Sequence, residues 1–134
     1  MFEVTFLPIL IAGIVNVVLG MVWYNPKVFG TTWMTLGNIQ PSERGKKMMP
    51  LMAFFAFLAA MLAAYVMNHF GIAWGVFDWI GAVELGFWCW LGFAAPTMLG
   101  TVLWEGKPFK FYAINAGFWL VSFITMAIIL VVMA

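Results

Sequence analysis

Residues 48–77 read MMPLMAFFAFLAAMLAAYVMNHFGIAWGVF, a run of 30 between Lys47 and Asp78 that holds no Asp, Glu, Lys or Arg and a single His, His69. About 20 apolar residues, rising 1.5 Å each, cross a hydrocarbon core of about 30 Å. The run exceeds that length, and it predicts a helix in lipid over about 49–69. Working outward, the same pattern recurs. Glu3 and Lys27 are separated by 23 uncharged residues, and the 24 residues after Lys110 carry no charge. Between Asp78 and Glu105 lie 26 residues, interrupted only by Glu84. The charges therefore cut the chain into four spans, about 4–24, 49–69, 79–103 and 111–133, with one sizeable loop at 25–48.

Composition agrees. Of 134 residues, 66% are apolar and 8% charged, against about 25% charged in ordinary soluble domains. A chain this short cannot hide so much apolar surface from water, which excludes a soluble globular domain as well as disorder. Six Lys and Arg against five Asp and Glu leave no electrostatic footprint for nucleic acid. The single Cys89 permits no internal disulfide and no CxxC motif. The expected fold is all-α, an integral membrane four-helix bundle.

Local signals refine the spans. The head Met1-Phe2-Glu3 lacks the cations of a signal peptide. Asn25-Pro26 ends the first helix, because proline pushes its predecessor out of the helical region. Val28, Phe29, Trp33, Met34 and Leu36 predict a short stretch lying in the interface. Pro41-Ser42-Glu43 reads as a helix start ahead of the second span. Gly71 and Gly75 punctuate a turn, Asp78 is placed to cap the third helix, and Pro96 predicts a bend in it.

Orientation follows from the cations. Lys27, Arg44, Lys46 and Lys47 fall between spans one and two, Lys107 and Lys110 between spans three and four, and none on the other side. The positive-inside rule makes both basic loops cytoplasmic and the topology N-out and C-out. Helices in lipid associate through small residues and interhelical polar bridges. Ala56, Ala60 and Ala64 form one stripe at i,i+4 steps, continued by Asn68. Gly13, Asn16 and Gly20 form another, and Gly92 lies on the third span. Asn115 and Ser122 share a face of the fourth.

Glu84 stands about 8 Å of helix rise inside the third span. An ionised carboxylate at that depth costs several kcal/mol unless paired or wet. Its face, shared with Trp88, Leu91 and Ala95, is expected to point into the bundle or an oligomer seam. It reads either as a proton or cation site or, more plainly, as a structural Glu near the outer interface. His69 ends span two on that side and could pair with Glu84 or Asp78. As a lone histidine it also suggests an axial ligand to a pigment. Asn16 and Asn115 are ligand candidates beside their plainer role as interhelical hydrogen-bond partners. Glu105 and Lys107 form a charged cytoplasmic turn. No catalytic residue or metal site is expected. Nucleophile-elbow, HExxH, P-loop and dinucleotide motifs are absent, and the scattered Met residues make no copper track. No cofactor can be named.

Gly20, Trp23-Tyr24, Pro26, Phe29-Gly30 and Trp33, with Leu91-Gly92-Phe93, Pro96-Thr97, Leu103 through Pro108 and Asn115-Ala116-Gly117, form a recurring pattern. In these segments the chain resembles the bacterial domain-of-unknown-function 1761 family over nearly its whole length. The resemblance implies a small four-span protein of the inner membrane and transfers no substrate or catalytic residue. The expectation is a non-catalytic membrane protein, oligomeric or an accessory subunit of a membrane complex. Alternatives are a proton- or cation-coupled transporter or channel using Glu84 and, more weakly, a pigment- or lipid-binding subunit.

Overall fold

The computed structural model describes residues 3–134, and every regular element among them is helical. Five helices follow in order: α1 Phe6–Trp23, α2 Gly30–Gly37, α3 Glu43–Ala73, α4 Trp79–Leu103 and α5 Phe109–Val132. All but α2 are long and apolar enough to cross a membrane. The chain is a multi-pass α-helical membrane protein.

The helix ends follow the local chemistry. Ser42 caps α3, its Oγ accepting from the Gly45 N–H at 3.0 Å, and the Asp78 Oδ1 accepts from the Gly81 N–H at 2.8 Å to cap α4. These bonds satisfy amide donors that have no partner within the helix. α3 therefore starts six residues before the apolar run at 49–69 and passes Gly71 without a break. At 31 residues it is about 46 Å long. The turn comes at Gly75, which takes φ +68°, a region that L side chains seldom enter. Asn25-Pro26 ends α1 as its chemistry requires. The chain then turns so tightly that a Cβ on Gly30 would sit 2.1 Å from the Tyr24 carbonyl oxygen.

α4 is not one uniform helix. Its α-helical start, Trp79–Cys89, opens into a π turn over Trp90–Ala94, followed by short helical pieces at Ala95–Met98 and Gly100–Leu103. Pro96 has no N–H, and its ring crowds the carbonyl four residues back. The wider π turn relieves that crowding, with the Ala95 N–H reaching back to the Trp90 carbonyl. The Thr97 hydroxyl lies 2.6 Å from the Phe93 carbonyl oxygen and 3.0 Å from that of Ala94, so the backbone stays satisfied without water.

α5 is the hub. It packs against α1, α2, α3 and α4, and α1 packs in addition on α3. The molecule has two unlike ends. At the end carrying both termini and the α3–α4 turn, small residues bring the helices close: Ala12, Ala60, Ala64, Ala82 and Ala127 are buried with Leu85, Met126 and Leu130. Gly86 is the tightest point, since a Cβ there would lie 2.6 Å from the Ile124 Cα. Gly13 is buried against Phe57 and Met61 of α3. Gly92 departs from the packing expected of it. It is exposed, and an added Cβ would meet nothing within 4 Å, because the π turn shifts the register that would have carried it inward. The other end carries all six Lys and Arg and is called the basic end below.

Gly86→Leu is expected to force α4 from α5 and to lower thermal stability in detergent by about 1–3 kcal/mol. Gly92→Ala should stay within about 0.5 kcal/mol of the parent. Equal melting of the two variants would contradict the packing described.

Candidate functional site

At the basic end aromatic side chains replace alanines. The Trp23 Nε1–H donates to the Ile114 carbonyl at 3.0 Å and the Tyr24 hydroxyl to the Asn115 Oδ1 at 2.6 Å. The Tyr24 ring stacks on Phe118 with centroids 5.6 Å apart and meets Trp33 edge-on at 4.9 Å. Trp33 in turn lies parallel to Phe111. On the far side of α5, the Trp90 Nε1–H donates to the Ala116 carbonyl and the Tyr112 hydroxyl to the Ala95 carbonyl, each at 2.7 Å. The Lys107 Nζ donates to the Gly37 carbonyl at 2.8 Å and ties the α4–α5 turn to the end of α2. Segments far apart in sequence, Trp23-Tyr24, Trp33 and Asn115 among them, are thus joined in one place.

Beside this joint α3 stands away from α1 and α5 and leaves a cavity of about 610 Å³. Gly20, Met21, Met52, Ala56, Phe118 and Trp119 line it, with Asn16, Tyr24 and Asn25 as its polar groups. The void exists because α3 turns Ala53, Ala56 and Ala59 toward it, where larger side chains would fill the gap. Its deep end is closed by a buried hydrogen bond from the Ser122 hydroxyl to the Asn16 Oδ1, joining α5 to α1. The α1 wall runs from Asn16 past the helix end at Trp23 to Pro26, and on the antiparallel α3 the lining runs ten residues, from Met49 to Ala59. That is about 15 Å of helix rise, half of a hydrocarbon core. The walls offer amides, a phenol and the Trp119 indole N–H but no carboxylate, imidazole, amine or thiol. Such a site can hold an apolar or amphiphilic molecule and orient it by hydrogen bonds.

The other candidates lie elsewhere. Glu84 is exposed on the outward side of α4, not between the helices. Ala82, Leu85, Gly86 and Cys89 are the buried residues of that segment, and Glu84 projects opposite to them at 100° per residue. Trp88 and Leu91 are exposed with it, while Ala95 is buried beyond the π turn. Glu84 borders a depression of about 260 Å³ shared with Trp74, Phe77, Asp78 and Trp88 at the α3–α4 turn. His69 is exposed and meets Tyr65 edge-on at 4.7 Å. It forms no bond to Glu84 or Asp78, and Glu105 forms none to Lys107. Asn16 and Asn115 both serve α1–α5 contacts, and only Asn16 lines the cavity. Gly20 and Ala56 line it too, whereas Ala60 and Ala64 lie in the close-packed half. Among the described residues no three His, Cys, Asp or Glu are grouped to hold a metal. Tyr24 stood out in sequence as part of the Trp23-Tyr24 segment, and Phe118, Ala53 and Ala59 were not singled out. The available signal was Ala53, which extends the Ala56-Ala60-Ala64 stripe by one turn, and Ala59, three residues after Ala56 at the edge of that stripe.

Four helices long and apolar enough to cross a membrane define a polytopic membrane protein. Residues 7–131 match the family described as Protein of unknown function (DUF1761), and the chain belongs to that family. No match was found among curated proteins or solved structures.

Tyr24→Phe deletes one interhelical hydrogen bond and should cost roughly 0.6–2 kcal/mol of thermal stability in detergent. In a double-mutant cycle with Asn115→Ala the two losses should not add. Simple additivity would show that the bond carries no energy.

Proposed function

We propose that this chain is a four-helix bundle of the bacterial inner membrane, N-out and C-out, that catalyses no reaction and takes an amphiphilic molecule from the bilayer into the cavity between α1, α3 and α5. The observation carrying this reading is the cavity itself: about 610 Å³, apolar but for the amides of Asn16 and Asn25, the Tyr24 phenol and the Trp119 indole N–H, with no carboxylate, imidazole or thiol in its lining. The space is open along α3, where Met52 and Ala56 are exposed, so an amphiphile can enter it from the side. The orientation rests on six cations gathered at one end of the molecule. Large exposed apolar side chains on α3, among them Phe54, Phe55 and Leu62, suit lipid or a partner subunit equally, which accommodates an oligomer or an accessory role in a larger complex.

A second reading, a proton- or cation-coupled transporter, is favoured by one feature: Glu84 and Asp78 border the same depression at the opposite end. In a single chain that depression does not continue between the helices, so a pathway would need a second copy. Reconstituted vesicles carrying the parent or Glu84→Gln should show the same proton flux if binding is the function. Flux abolished by Glu84→Gln would replace the first reading with the second.

For the binding reading the test is direct. Protein extracted in a mild detergent should carry copurifying amphiphile, and Ala56→Phe, which fills the cavity, should lower its amount severalfold with the fold retained. Equal retention by both forms would contradict the proposal.

A further inference from the structure

The cavity reading leaves open which molecule enters, and the charges at its mouth narrow the choice. The cavity opens toward the basic end, where Asn25, Pro26 and Met49 line it. Lys27 follows Pro26 directly, and Lys46 lies one turn before Met49 and two turns before Ala53, on their side of α3. Across residues 25–48 four cations face one carboxylate, Glu43. Lys27, Arg44, Lys46 and Lys47 are exposed, and none forms an ion pair among the described residues. Beneath this uncompensated positive charge lies an apolar slot about 15 Å deep, the depth of one leaflet. An acyl chain of one leaflet has that length, and the cations over the mouth favour a headgroup that carries negative charge.

From this juxtaposition we infer that the occupant is an anionic glycerophospholipid of the leaflet at the basic end, one acyl chain in the cavity and the phosphate over Lys27 and Lys46. The inference rests on the cavity reading above and adds the headgroup to it. Asn25 stands at the level where the chain gives way to the glycerol ester region; its Oδ1 accepts from the Lys27 N–H, and its side-chain NH2 can donate to an ester oxygen there. Asn16, tied to Ser122, marks the end of the slot.

The test uses delipidated full-length protein in detergent, titrated with dioleoylphosphatidylglycerol or dioleoylphosphatidylcholine and read by native mass spectrometry. Phosphatidylglycerol should bind more tightly, and less so at high salt. Lys27→Gln and Lys46→Gln should each weaken it by about fivefold, the factor one cation contributes beside an anionic surface, and leave phosphatidylcholine unchanged. Both positions are exposed, so these variants will fold. Equal affinity of the parent for the two lipids, or no effect of either lysine change, overturns the inference. Ala56→Phe separates the two levels. If it lowers binding of both lipids while no headgroup preference exists, the cavity reading stands and the anionic occupant falls. If it lowers neither, the cavity reading itself falls.

Discussion

A hydrocarbon interior tolerates a charge only at a cost of several kcal/mol, and that constraint orders this molecule. Every Lys and Arg lies at one end, in the stretch 27–47 or in the turn 107–110. Glu3 and Asp78 lie toward the other. The apolar intervals between them have no choice but to cross as helices, because lipid offers no partner to an open backbone amide. Even the irregular stretch around Pro96 obeys this, closing its hydrogen bonds through a π turn and the Thr97 hydroxyl.

Within that frame the two halves solve the problem of association differently. Lipid gives helices little hydrophobic reason to meet, so contact depends on close approach or polar bridges. The terminal half uses close approach, with Gly86 against the backbone of α5 and alanines along α1, α3 and α4. The basic half uses bridges, with indole and phenol donors reaching carbonyls or the Asn115 amide. Bridges hold helices at a greater distance than alanine contacts do. The space beside α3 lies in this half, where α3 presents Ala53, Ala56 and Ala59, and toward the end where the chain concentrates its positive charge.

Much of the fold was legible in sequence because it depends on local or one-dimensional signals. Charge gaps marked the apolar helices, and Ser42, Asp78 and Asn25-Pro26 marked their ends through bonds formed within three residues. What depends on rotation was not legible. The helices are apolar nearly all round, so periodicity does not say which face turns inward. Glu84, expected to face the bundle or an oligomer seam, does not face the bundle and projects from the single chain. Gly92 was expected at a contact, but the π turn that rotates it has no signature beyond Pro96. The cavity was hidden for a related reason: alanines that permit contact and alanines that leave space are the same residue, and only the arrangement of Phe118, Tyr24 and α1 decides which they do. Its polar group Asn16 was visible, but its partner Ser122 lies 106 residues away.

The whole account depends on which side of the bilayer the basic end occupies. The direct measurement places single cysteines at Lys47, Lys107 or Phe77 in a Cys89→Ser background and treats intact cells with a membrane-impermeant maleimide. Phe77→Cys is expected to react at once, and Lys47→Cys and Lys107→Cys only after the membrane is permeabilised. Reaction of either lysine position in sealed cells would contradict the four crossings and the orientation on which the cavity and its charged mouth rest.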